Sequence, residues 1–138
     1  MQRLIDEAGL GERVTIDSAG TGHWHTGERA DPRSREAAAA RGLTITHRAR
    51  QLVAADLERF DLIVAMDANN LAAVRMMVGS RTHPELRLLR SFDPAAPDGA
   101  EIPDPYDGGV DGFHLVLDLC EAACRPLVEH VRRTLEAR

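Results

Sequence analysis

The chain has 138 residues, of which 43% are hydrophobic and 28% charged, and its formal net charge at pH 7 is −5. This length and composition predict one soluble domain with a core of its own, and the negative charge argues against nucleic acid as the main partner. No stretch has the length of a membrane span and the first residues lack the apolar core of a signal peptide, so we expect no membrane association.

The first predicted elements are a helix and a short strand. Residues 1–10 carry apolar side chains on one helical face and Gly9 ends the pattern, but no Ser, Thr, Asp or Asn precedes it as a cap. A helix with a stop signal and no start signal indicates that the sequence begins within an element. Arg13–Asp17 alternates apolar and polar residues, which predicts a strand. It leads into a small-residue loop that contains Trp24, for which a wall of a binding site and a core position are equally good interpretations.

The middle of the chain predicts further helices and strands. Asp31 is the expected N-cap of a helix that begins with a proline and ends at Gly42. Asp61–Met66 is a continuous apolar run bounded by charge, which is typical of a strand covered on both faces. Asp67 is placed to cap the next helix, and Leu86–Phe92 predicts another strand.

Two helices complete the pattern. The helix between the last two strands is predicted to bury Leu71, Val74 and Met77. The final helix is expected over residues 112–135, with a kink at Pro126. It carries both cysteines, which cannot form a disulfide framework at this spacing, so a reducing cytoplasm is the expected location. Its buried stripe is predicted to consist of Leu117, Cys120, Cys124, Leu127, Val131 and Leu135.

The loop Glu101–Gly109 is rich in proline, glycine and acidic residues. Asp104 lies between Pro103 and Pro105, which biases its backbone toward an extended conformation and holds its carboxyl group outward. Tyr106 follows two residues later. A carboxyl group held beside an aromatic ring can act as a general acid toward a substrate whose leaving group is aromatic. The alternative is a solvated loop, which composition alone favours.

Strands that alternate with helices predict an α/β fold with a parallel sheet. Ligands of such sheets bind at the carboxyl ends of the strands. Those ends carry the segment 18–24, Asp67 and the loop of Asp104, so we expect these three features to meet at one edge of the sheet.

Seven stretches of the sequence resemble the low-molecular-weight protein tyrosine phosphatase family, in the family's order and with its spacing. Each motif is weak alone, whereas seven in register are specific, and together they extend over nearly the whole chain. They are Asp17–Thr21, Trp24–Gly27, Asp31–Arg33, His47–Gln51, Phe60–Asp67, Ser91–Pro94 and Asp104–Tyr106.

The resemblance implies a fold and a set of roles. The sheet would have four parallel strands with helices on both faces, and three of the strands can be identified here. Asp104 would protonate the leaving phenolate oxygen, Trp24 and Tyr106 would flank the phosphotyrosine ring, and Ser18 and His47 would brace the phosphate-binding loop from behind. The substrate would be a phosphotyrosine-containing protein or a small aryl phosphate, with no cofactor.

The family's signature, a cysteine followed after five residues by an arginine, is absent from the sequence. In the family, the cysteine thiolate attacks phosphorus while backbone N–H groups and the arginine hold the phosphate oxygens. Cys120 and Arg125 are separated by four residues instead, and Cys120 and Cys124 are predicted to pack inside a helix. We therefore expect a single, N-terminally truncated domain that is inactive as it stands, with self-association covering the missing central strand.

Three other functions are compatible with the same fold. Arsenate reductase requires further redox cysteines, phosphoarginine phosphatase is disfavoured by Tyr106, and a catalytically dead binding or regulatory domain is disfavoured by the retained Asp104.

The family often has a second tyrosine after the first, and here Asp107 takes that position, where it would repel acidic peptides. His23 and His25 lack a third convergent ligand, so no metal is expected.

Overall fold

The computed structural model describes residues 1–22, 26–105 and 109–138. These residues form an α/β fold in which a short parallel sheet is surrounded by helices, as the sequence predicts. The elements are α1 Gln2–Glu7, α2 Pro32–Ala39, α3 Ala54–Arg59, β1 Leu62–Ala65, α4 Ala68–Val78, β2 Glu85–Leu88 and α5 Gly109–Glu136.

The sheet pairs β1 with β2 in parallel, and Ile63 lies opposite Leu86 in the register. The parallel direction follows from the connection, because α4 carries the chain back between the two strands. Leu62 and Val64 pack toward α5, whereas Ile63 packs on the opposite side against α3 and α4. Helices therefore cover both faces of the sheet, which explains why β1 is entirely apolar.

The largest core cluster lies between α5 and the sheet. Burial of each large apolar side chain contributes about 1.5–3 kcal/mol, so this cluster is a main source of the domain's stability. It includes Ile102, which precedes Asp104 by two residues and fastens the acidic loop to the core. The buried members are Leu89, Phe92, Ile102, Ala123, Cys124 and Leu127.

The predicted helix starts and stops are largely confirmed. The Asp31 carboxylate accepts a hydrogen bond from the Arg33 N–H at 2.8 Å, and Asp67 caps α4 in the same way. After α1 the backbone turns at Gly9, whose φ of 75° is a conformation that glycine adopts without strain. The last helix begins slightly earlier than predicted and continues through Pro126.

The strand predicted over Arg13–Asp17 is wrong. Within the described part of the chain, residues 14–19 pair with no strand, and the first bridge forms later, between Gly20 and Gln51. Alternating polarity is compatible with a strand, but a strand also requires a hydrogen-bonded neighbour. The described sheet therefore has two strands instead of the three that the sequence pattern identifies.

Two other predictions need correction. The strand predicted to run through Phe92 ends at Leu88, and a 3-10 turn follows over Leu89–Phe92. The turn places residues 89 and 92 on one side, where both are buried. In α4, Met77 is 38% exposed and the buried pair is Val74 with Val78, because the apolar stripe follows the i, i+4 direction.

Candidate active site

A cleft of about 590 Å³ opens at the carboxyl end of β1. Its walls come from the first turn of α4, the acidic loop and the first half of α5. Leu115 is 50% exposed there and offers an apolar surface to a bound ring. The lining residues are Asp67, Asn69, Arg90, Glu101, Ile102, Pro103, Asp104, Leu115 and Leu119.

The acidic loop is fixed to the end of β1 by two hydrogen bonds. The Ile102 N–H donates to the Met66 carbonyl at 2.8 Å. The Glu101 carboxylate accepts from the Ala68 N–H at 2.7 Å, so it also stabilises the N-terminal end of α4, where a negative charge is favoured. These bonds, together with the burial of Ile102, hold the residues just before Asp104 in a defined position.

Arg90 provides a third connection to this loop. Its Nη1 donates to the Glu101 carbonyl at 3.1 Å, while its Nε is buried and has no hydrogen-bond partner among the described residues. An unsatisfied buried donor costs about 1–3 kcal/mol, so the other contacts of this side chain must offset that cost. Sequence reasoning missed Arg90. Its sequence neighbours, Leu89 and Ser91, give no local signal of this role.

Asp104 is exposed and lies on the wall of the cleft. The next residue, Pro105, packs against Gly112, where an added Cβ would lie 3.5 Å from the proline Cβ. The loop is therefore supported from the α5 side as well. The predicted aromatic walls, Trp24 and Tyr106, lie outside the described residues.

Ser18 and His47 are exposed and belong to two segments that run side by side. The Gly20 N–H donates to the Arg50 carbonyl at 2.9 Å, and the Leu52 N–H donates to the Gly20 carbonyl at 2.8 Å. The structure thus brings the segments of the two predicted supporting residues together. Their contact with a phosphate-binding loop stays a prediction.

A charged network beside these segments escaped sequence reasoning. Arg50 binds both carboxylate oxygens of Asp56 at 3.0 Å and the Asp17 carboxylate at 3.1 Å. Asp56 is only 4% exposed and also accepts from the Val53 N–H at 2.8 Å. The hydrogen bonds from Arg50 hold the pKa of Asp56 below its ordinary value, although burial opposes them.

The two cysteines pack in α5, as predicted. Cys124 is buried and Cys120 is half-buried. Burial raises the pKa of Cys120 to about 11 and also raises the pKa of Cys124. A thiol attacks as its thiolate, so neither side chain is prepared to act as a nucleophile near neutral pH.

A metal-ligand cluster and a membrane-spanning helix are both absent from the described residues. In residues 1–22, 26–105 and 109–138, no three His, Cys, Asp or Glu side chains converge to hold a metal ion. His23 and His25 lie outside these ranges. None of the described helices is long and apolar enough to cross a membrane.

Comparison with known proteins gives matches over almost the full chain. The family model for low molecular weight phosphotyrosine protein phosphatase matches residues 1–137. A low molecular weight protein-tyrosine-phosphatase of Streptomyces coelicolor is 46% identical over 136 residues, which cover 97% of this chain and 83% of the relative. The crystal structure of a protein tyrosine phosphatase from Entamoeba histolytica is 32% identical with a TM-score of 0.90, covering 96% of this chain and 85% of that one. A Drosophila arginine phosphatase is 29% identical with a TM-score of 0.84, covering 94% and 83%.

Proposed function

The chain belongs to the low molecular weight phosphotyrosine protein phosphatase family, and on this premise we propose that its site hydrolyses phosphotyrosine-type monoesters with Asp104 as general acid. The observation that carries the proposal is the position of Asp104 on the wall of the cleft at the end of β1. A carboxyl group there can protonate the phenolate oxygen as its bond to phosphorus breaks. Trp24 and Tyr106 are proposed to flank the ring, and Ser18 and His47 to brace the phosphate-binding loop.

The nucleophile of this chemistry must come from elsewhere than Cys120 and Cys124. These are the two cysteines of the sequence, and both have raised pKa values. In the family the attacking thiolate belongs to a Cys-x5-Arg loop, which the 138 residues do not contain. We propose that the domain is inactive without that loop and active once the loop and its preceding strand are present.

The open edge of β1 bears on association. Within the described residues β1 has β2 as a neighbour on one side and no strand on the other. A free strand edge presents unpaired N–H and C=O groups to other chains. We therefore propose that the 138-residue chain self-associates and that restoring the missing strand suppresses association.

We also propose a cytoplasmic location, because the two cysteines are unpaired.

A second candidate substrate is phosphoarginine, because an arginine phosphatase shares the fold at 29% identity and a TM-score of 0.84. Two further alternatives are a catalytically dead binding domain and an arsenate reductase. The dead domain is favoured by the absent nucleophile loop. The reductase would need redox-active thiols, which the raised pKa values of Cys120 and Cys124 disfavour.

The test compares the 138-residue chain with a chain that also carries the family's N-terminal strand and nucleophile loop. Hydrolysis of p-nitrophenyl phosphate, phosphotyrosine and phosphoarginine is measured at mildly acidic pH. We expect turnover by the extended chain alone, with phosphotyrosine preferred over phosphoarginine. Turnover by the short chain would show that the proposed nucleophile is wrong, and an inactive extended chain would favour the dead domain.

A further inference from the structure

Arg29 and Arg48 are held side by side on the surface. They are partners in an antiparallel β-bridge, and both are exposed. The Cβ atoms of directly opposite residues in such a pair lie about 4.5–5.5 Å apart, and like charges in this arrangement are destabilising. The backbone thus places two cationic side chains opposite each other.

Neither arginine has a counter-ion in the described part of the chain, although the protein carries a net charge of −5. Neighbouring arginines are paired: Arg33 lies 3.0 Å from Asp31, and Arg50 is bound to two carboxylates. Arg48 donates to the Gly27 carbonyl at 3.0 Å, which restrains its guanidinium group without neutralising it. An unneutralised cationic pair in an acidic protein is suited to bind an anion.

The adjacent acid does not neutralise the pair. Glu28 precedes Arg29 in the sequence and has a contact of its own. Its carbonyl accepts the Ala49 N–H at 2.9 Å, and this hydrogen bond belongs to the same pairing that holds the two arginines opposite each other. The arrangement is therefore built into the backbone and does not depend on a chance meeting of flexible side chains.

Contacts link this pair to the cleft. Arg33, four residues after Arg29, stacks over the Phe113 ring at 5.1 Å from its centroid. Phe113 follows Gly112, the residue against which Pro105 packs. In the sequence, Trp24 lies between Gly20, which bridges to Gln51, and Arg29, which bridges to Arg48. The segment that carries Arg29 is therefore connected, through Arg33 and α5, to the loop of Asp104.

We propose that Arg29 and Arg48 form a subsite for an acidic side chain of a phosphotyrosine peptide. A guanidinium group binds a carboxylate through paired, charge-assisted hydrogen bonds, and two such groups side by side favour a Glu or Asp of the substrate. This inference rests on the proposed function. Asp107 would repel acids next to Tyr106, so the favoured acid lies on the other side of the phosphotyrosine.

The experiment uses the chain that carries the nucleophile loop. Phosphotyrosine peptides with one Glu at each position within about five residues of the phosphotyrosine are compared with their Gln counterparts. Each kcat/KM is divided by the same variant's kcat/KM for p-nitrophenyl phosphate, which has no peptide. The variants are Arg29→Gln/Arg48→Gln, the charge-retaining Arg29→Lys/Arg48→Lys, and Arg75→Gln/Arg133→Gln. The last pair removes the same charge from exposed positions on α4 and α5.

At one or two positions we expect kcat/KM to be higher for the Glu peptide than for its Gln counterpart. In Arg29→Gln/Arg48→Gln this ratio should fall about threefold to tenfold, because KM for the Glu peptide rises. The lysine pair should retain part of the preference and the Arg75/Arg133 control all of it. Equal loss in the control, no Glu preference, or poorer turnover of every acidic peptide would overturn the subsite. If p-nitrophenyl phosphate is hydrolysed but phosphotyrosine peptides are not, both the proposed substrate and the subsite are wrong. Failure of the subsite alone leaves peptide turnover intact.

Discussion

Arg50 places two guanidinium nitrogens on the two carboxylate oxygens of Asp56, each at 3.0 Å, and its Nε on Asp17 at 3.1 Å. The contact joins the segment of Ser18 to α3, the helix that precedes β1. It extends further, because the Ser18 N–H donates to the other oxygen of Asp17 at 2.8 Å. One arginine thus fixes the backbone of a predicted supporting residue to a buried acid.

Replacement of Asp56 is predicted to destabilise the domain. Asp56→Asn removes the negative charge and one of the two Asp56 oxygens that accept from Arg50, and we expect the free energy of unfolding to fall by about 2–3 kcal/mol. The loss is smaller than for a fully buried pair because the Arg50 side chain is 33% exposed. Urea unfolding measures the change. Glu58→Gln, an exposed position on the same helix, should cost less than about 0.5 kcal/mol, and an equal loss in both variants would contradict the network's importance.

The same pair predicts a pH dependence of stability. The pKa of Asp56 is lower in the folded chain than its ordinary value of 3.8. Its contribution is therefore present above that value and lost as the pH falls through the folded pKa. The difference in melting temperature between wild type and Asp56→Asn should be constant near neutral pH and shrink below about pH 4. A difference that is unchanged down to pH 2 would show that the carboxylate charge is not what stabilises the fold.

Most of the fold could be predicted because its signals are local. Asp31 and Asp67 cap their helices through hydrogen bonds to residues two or three positions away, and β1 is apolar because both of its faces are covered. The strand predicted at Arg13–Asp17 failed for a non-local reason. Alternation specifies which face of a strand is buried, but the strand also needs a partner.

Thiol reactivity tests whether the cysteines are structural. With a pKa of about 11, Cys120 has a thiolate fraction of about 0.1% at pH 8, so alkylation of the folded chain should be slow. Iodoacetamide labelling followed by mass spectrometry measures it, with the denatured chain as the reference. In the chain with the nucleophile loop, Cys120→Ala/Cys124→Ala should keep its activity on p-nitrophenyl phosphate. Rapid labelling of Cys120 in the folded state would contradict the structural role.

Arg90 is predicted to be a positioning residue for Asp104. In Arg90→Met the Glu101 carbonyl loses its hydrogen-bond donor, so the loop that carries Asp104 is held less firmly. Displacement of Asp104 should slow hydrolysis most for substrates whose leaving oxygen depends most on protonation. We expect kcat/KM for phenyl phosphate to fall about threefold to tenfold more than for p-nitrophenyl phosphate. Arg90→Lys should recover part of this difference. The exposed Arg81→Met is the control, and an equal fall for both substrates in Arg90→Met would indicate a merely structural role.

The site was less predictable than the fold, because its parts are distant in the sequence. The position of Asp104 could be anticipated because the two prolines beside it constrain its backbone locally. Arg50 and Arg90 were missed because their partners, Asp56 and Glu101, become visible only when loops meet in space. A basic residue in a sequence gives no indication of whether it will meet a buried acid, a carbonyl or solvent.

Asp104 as general acid is the central claim, and its leaving-group dependence tests it most directly. In the chain with the nucleophile loop, kcat/KM is measured for aryl phosphates whose phenols differ in pKa. Wild type should depend weakly on that pKa, whereas Asp104→Asn should slow phenol-type substrates by about 10²-fold or more and 4-nitrophenyl phosphate by less. Asp98→Asn, an exposed acid of the same loop region, should match wild type. Equal leaving-group dependence in Asp104→Asn and wild type would contradict the account.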